Sequence, residues 1–132
     1  MALNTHEYEF ARNFILPEKR TRYLSLLESK SGRKKIVNGF NHCRDLDPRF
    51  TSRIPGNQSS AESIEAMLRQ KGAPDSCCVM SDNPDIDGRE MPLTEALSKT
   101  VGMDAGTLVS CIPGKLAYFE MEGFDGRYIL LR

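Results

Sequence analysis

Apolar residues recur at helical spacing through the first third of the chain, and the remainder alternates helical stretches with short strand-like runs. Phe10 and Phe14 share one helix face, which Asn4 and Glu7 would open as a capping box and Pro17 would close. Pro17 also suits the first position of a second helix, whose apolar stripe is Tyr23, Leu24 and Leu27. After Gly32, the segment Arg33–Cys43 places Ile36, Val37 and Phe40 on one face and predicts a third helix, although Asn38-Gly39 also allows a strand and turn. Periodicity then stops. Asp47-Pro48, Ile54-Pro55-Gly56 and Asn57-Gln58-Ser59-Ser60 predict an irregular loop over Asp45–Ser60, and loops of this length are often functional.

Beyond the loop, Ser59 and Glu62 predict a second capping box ahead of Ile64, Met67 and Leu68, with Gly72 and Pro74 as the stop. Ser76–Ser81 reads as a short buried strand, and Pro92 starts a helix with the stripe Leu93, Ala96, Leu97 and Val101. Thr107–Ile112, Lys115–Met121 and Arg127–Leu131 predict three strands joined by Pro113-Gly114 and Gly123-Phe124-Asp125-Gly126 turns. The expected fold is α+β or α/β: N-terminal helices, then α-β-α-β-β-β with a small mixed sheet that ends in an antiparallel meander. A parallel pair around the Pro92 helix would need a right-handed crossover. Ile64, Met67, Leu68, Val79, Leu93, Leu97, Leu108, Leu116 and Ile129 are expected in one core.

At 132 residues the chain suits a single domain over 1–132, with a helical basic part (1–45), the loop (45–60) and an α/β acidic part (60–132). The opening residues show no basic region before an apolar stretch, which predicts no secretory signal, and no run reaches the ~18 apolar residues of a membrane span. Cys43, Cys77, Cys78 and Cys111 then read as reduced thiols of a soluble cytoplasmic protein with no membrane partner.

Charge changes this picture more than composition does. The 18 basic and 18 acidic residues cancel, but up to Lys71 there are 13 basic against 8 acidic, and from Gly72 there are 5 against 10. Base concentrates between Lys19 and Arg53, and acid in Asp82, Asp85, Asp87 and Glu90. Such sorting marks either a surface for a polyanion or two surfaces that meet within or between chains. In the run Arg33, Lys34 and Lys35 all three cations are expected to be exposed. A pI of 6.7 and the lack of zinc-finger, RNP or KH patterns argue against a dedicated nucleic-acid domain.

Two clusters carry candidate chemistry. His42, Arg44, Arg49 and Arg53 could converge on an anionic ligand with Asp45 and Asp47 positioning them, because the planar guanidinium binds carboxylate or phosphate bidentately. The same stretch also reads as a charged helix end. Asp85, Asp87 and Glu90 could hold a divalent cation, since Gly88 at position six puts Asn83, Asp85 and Asp87 where a calcium loop places its ligands. Pro84 and Thr94 break that register, and Asp-Gly and Asn-Pro are turn chemistry. Nucleophile-elbow, zinc-ligand and phosphate-loop spacings are absent.

The leading expectation is a non-catalytic binding module with a basic helical surface for an acidic protein, for itself or, less favoured, for nucleic acid, and with no cofactor. One alternative is an enzyme acting on a phosphate- or carboxylate-bearing ligand in a cleft between the Asp45–Ser60 and Asp82–Glu90 loops. Another is a structural homo-oligomer built on complementary halves. A shared cleft would favour the enzyme, and loops on opposite faces would favour the module.

Overall fold

The computed structural model describes residues 2–123 and 126–132, with side chains from residue 5 onward. Helices α1 (Ala2–Phe14), α2 (Arg20–Leu26) and α3 (Lys30–Gly39) come first, with a 3-10 turn at Pro17–Lys19 between α1 and α2. Strand β1 (Thr51–Arg53) and helix α4 (Ala61–Gln70) follow, then β2 (Ser76–Ser81), β3 (Glu90–Pro92), α5 (Leu93–Thr100), β4 (Thr107–Ile112), β5 (Leu116–Glu120) and β6 (Arg127–Leu131). The strands form one sheet in the order β1-β6-β5-β4-β2-β3. The fold is α+β, with helices first and strands after, as the sequence predicts.

The sheet is antiparallel throughout rather than mixed. The three-residue strand β3 accounts for the difference. It turns the chain back along β2 before α5 begins, so β4 enters beside β2 in the opposite direction and no parallel crossover is needed. The Asp45–Ser60 segment is likewise more ordered than its composition suggests. Pro48–Phe50 and Gly56–Gln58 are 3-10 turns, and β1 pairs with β6 from Thr51 opposite Leu130 to Arg53 opposite Tyr128.

Helices cover both faces of the sheet. Successive strand residues point to opposite faces, and here both sides are buried. Val79, Val109, Tyr118 and Ile129 pack with Ile64, Leu68, Leu93 and Leu97 of α4 and α5. Their neighbours Met80, Leu108, Phe119 and Leu130 pack with Phe10, Phe14, Ile36, Val37 and Phe40 of the N-terminal helices. Double burial is why the central strands read as continuous apolar runs. The expected single core is therefore two, with Leu108 in the second and Met67 only partly buried. Rings of Phe10 and Phe40 meet Phe119 at centroid distances of 6.4 and 5.0 Å, joining α1 and α3 to the sheet.

Local signals were off by small steps with identifiable causes. Ser60, not Ser59, caps α4 by accepting from the Ser63 N–H, while Ser59 donates to the Gly56 carbonyl. The third helix begins at Lys30, earlier than expected, because the Ser29 hydroxyl caps it through the Gly32 N–H. Gly32 is required there: a Cβ would collide with the Leu26 carbonyl of the preceding helix. Helix α1 already runs from Ala2, so Asn4 lies inside it, with a side chain outside those described. Phe124 and Asp125 of the last turn lie outside the described residues. Among the described residues no helix is long and apolar enough to cross a membrane.

Candidate functional site

The basic and acidic segments meet within one molecule. Helix α3 turns Ile36, Val37 and then Phe40 toward the sheet, and Arg33 falls on the same inner side. Its Nε donates to Glu7 Oε1 and Oε2 at 3.0 and 3.1 Å, and Nη2 reaches Oε2 at 2.7 Å. Nη1 and Nη2 also donate to Asp87 Oδ2 and Oδ1 at 2.7 and 3.0 Å. The Arg33 side chain keeps only 22% of its exposure, contrary to expectation, whereas Lys34 and Lys35 are exposed. Hydrogen bonds to Asp87 and then Glu7 hold the guanidinium far above its ordinary pKa, so it is a permanent cation. Asn41 adds a second tie, donating to Asp82 Oδ2 at 2.9 Å and accepting from the Gly106 N–H at 2.7 Å.

These ties define what the acidic loop can do. Asp87 accepts from Arg33 and from the Ser81 N–H at 2.9 Å, so its carboxylate is already satisfied. Ile86 is buried in the core beside it and pins the loop. Asp85 is exposed, and Glu90 sits on β3 in register with Cys78. Among the described residues no group of three His, Cys, Asp or Glu side chains is placed to hold a metal ion.

The candidate anion ligands separate into two sets. His42 and Arg44 line a groove of about 280 Å³ between α2 and α3, together with Arg22 and Lys35. Among the described residues Arg22, Lys35 and Arg44 are in no ion pair, and His42 Nε2 lies 3.0 Å from Glu122 Oε2. At the base, the Tyr23 hydroxyl donates to Asp45 Oδ2 at 2.8 Å; burial holds that phenol well above its ordinary pKa and keeps it a neutral donor. Arg49 stands elsewhere, donating to the buried Asp47 at 2.7 Å and stacking 5.0 Å from the Phe50 ring centroid. Arg53 is exposed on β1 and does not line the groove. Arg22 and Lys35 were visible in the sequence only as members of a basic run. The close approach of α2 and α3 at Gly32 brings them together.

Nucleophilic chemistry finds little support. Burial pushes the thiols of Cys77, Cys78 and Cys111 up to about 12, 11 and 12, and that of Cys43 upward as well, so all four stay protonated at neutral pH. His6 Nδ1 lies 2.6 Å from Ser110 Oγ beneath α1, where Ser110 is buried in a central strand.

Strands from the two loops expected to share a cleft stand at opposite edges of the sheet. β1, within Asp45–Ser60, is one edge of the sheet, and β3, at the end of the acidic loop, is the other. Five inter-strand spacings of ~4.8 Å put these edges about 24 Å apart. No protein-family model, no curated protein and no solved structure matches the chain.

Proposed function

We propose that the chain is a non-catalytic binding module that receives an acidic segment of a protein partner in the α2–α3 groove. The observation that carries this reading is the set of three cations, Arg22, Lys35 and Arg44, gathered on one groove in no ion pair among the described residues, while the groove's one carboxylate, Asp45, accepts from Tyr23. Elsewhere Arg20 and Arg49 are matched to Asp47, and Arg33 to Glu7 and Asp87. Unmatched like charges held together repel, and an incoming carboxylate relieves that repulsion. Zero net charge and the acidic second half disfavour a long polyanion such as nucleic acid. The placement of β1 and β3 at opposite edges of the sheet supports the module over the enzyme alternative. Four free, buried cysteines are in keeping with a reducing compartment such as the cytoplasm.

The test is fluorescence anisotropy with a labelled oligoglutamate peptide, single-stranded RNA and duplex DNA at low and moderate salt. The peptide should bind, more weakly as salt rises, and the combined Arg22→Gln, Lys35→Gln and Arg44→Gln substitutions should weaken it by about tenfold or more. Thermal stability should be nearly unchanged, since among the described residues these side chains have no ion pair to lose. Peptide binding that survives the triple substitution would refute the groove. Tight, salt-sensitive binding to RNA or DNA would refute the choice of a protein partner, and peptide-independent dimerisation lost in the triple variant would identify the partner as a second copy.

A further inference from the structure

The opposite flank of α3 carries a second cavity of different character, about 370 Å³ in volume and within the range of small-molecule sites. Lys30, Lys34 and Asn38 stand one turn apart along one wall, facing Asp82 and Pro84 on the acidic loop, with Val37 below. Among the described residues neither lysine is in an ion pair and the Asn38 side chain has no hydrogen bond. Asp82 accepts from Asn41 through Oδ2, and among the described residues Oδ1 forms no hydrogen bond. The cleft therefore has a positive wall with two unmatched ammoniums and a negative wall with a free carboxylate oxygen. At the floor, Arg33 and Asp87 contribute a bonded cation and anion, and Glu7, outside the lining, also holds Arg33. The lining thus carries three cations, Lys30, Arg33 and Lys34, and two anions, Asp82 and Asp87, sorted onto opposed walls so that the site is strongly dipolar.

We infer that this cleft binds a small zwitterion, an α-amino acid, with its carboxylate against Lys30 and Lys34 and its ammonium against Asp82. A simple anion would gain from the lysines but face Asp82 and Asp87 on the opposite wall, and a simple cation would meet the reverse. A neutral ligand carrying both charges satisfies the two walls at once and leaves the total unchanged. Val37 and Pro84 give the ligand's side chain an apolar surface, and Asn38 offers both a donor and an acceptor. The Arg33–Asp87 pair fixes the distance between the walls by tying the loop to the helix. This site is separate from the α2–α3 groove.

The experiment is a thermal-shift screen of the full-length chain with each of the free α-amino acids, followed by calorimetry on the best one. At ~10 mM, an amino acid bound with millimolar affinity should raise the midpoint by roughly 4–6 °C. Its N-acetyl and methyl-ester derivatives, each lacking one charge, should not. Lys34→Gln and Asp82→Asn, both at exposed positions, should each remove most of the rise while leaving the unliganded midpoint near its original value. Should Lys34→Gln lower that midpoint, Lys30→Gln serves in its place. The groove variant lacking Arg22, Lys35 and Arg44 should keep amino-acid binding, which separates failure here from failure of the partner groove. No rise with any amino acid, an equal rise with either blocked derivative, or a rise that survives the substitutions would overturn the inference.

Discussion

Replacing Arg33 by Met keeps most of the side-chain volume and removes the charge that joins α1, α3 and the acidic loop. Glu7 is 5% exposed, so its carboxylate would be left buried with no cation. Stripping one partner from a buried ion pair costs about 3–5 kcal/mol, most of it the uncompensated charge. Asp87 keeps 23% side-chain exposure and the Ser81 N–H, so water can replace Arg33 there and the added loss is at most ~1 kcal/mol. The expected total is about 4 kcal/mol, a large part of the 5–15 kcal/mol typical of a domain. In urea, with a slope near 2 kcal/mol per molar, the midpoint should fall by roughly 2 M, read by circular dichroism. The decisive comparison is the double variant Arg33→Met with Glu7→Gln. A neutral amide needs no counter-charge, so the double variant should recover about 2 kcal/mol relative to Arg33→Met alone. A loss below ~1 kcal/mol in the single variant, or no recovery in the double, would refute the assignment of Arg33 as the charge that Glu7 depends on.

Two further outcomes follow. Gly32→Ala should cost about 1–3 kcal/mol in the same urea assay, because the new methyl meets backbone of Leu26 rather than a movable side chain; a neutral result would mean that α2 and α3 shift apart easily. Stability should also fall in alkali. Cys77, Cys78 and Cys111 hold their protons to about 12, 11 and 12 in the native state, while the unfolded chain releases them near the ordinary value of 9.0. The native state thus binds more protons above pH 9, and stability present below that value is lost as pH rises toward 11–12, with a slope of up to ~4 kcal/mol per unit. Urea midpoints measured from pH 8 upward check this, and a flat profile in that range would contradict it.

The elements that could be read from sequence were those with length and period. Ile64 and Leu68 of α4, or Leu108 and Val109 of β4, announce themselves because a buried face repeats along them. Strands β1 and β3 have three residues each, too few for any period, yet they decide that the sheet is antiparallel and where its edges lie. The site was half legible. Charge sorting pointed to two surfaces that could meet, and Arg33 is in helical phase with Val37 and Phe40, a signal that distinguishes it from Lys34 and Lys35. The pairing of Arg22 with Lys35 had no local signal, because it arises from the packing of two helices. Arg49 looked like a ligand-binding residue on residue type alone, but Asp47 two positions earlier is near enough to engage it.

Both sheet margins are three-residue strands, and that brevity bears on how copies of the chain behave in concentrated solution. A long, flat edge recruits a neighbour's strand and can propagate into fibrils. Here the β3 margin ends in Pro92, which lacks a donor, and starts with a charged Glu90, while the β1 margin carries Arg53 and runs into Ile54-Pro55. Neither offers more than a hydrogen bond or two to an incoming strand. Both margins thus disfavour sheet extension as a route to polymerisation.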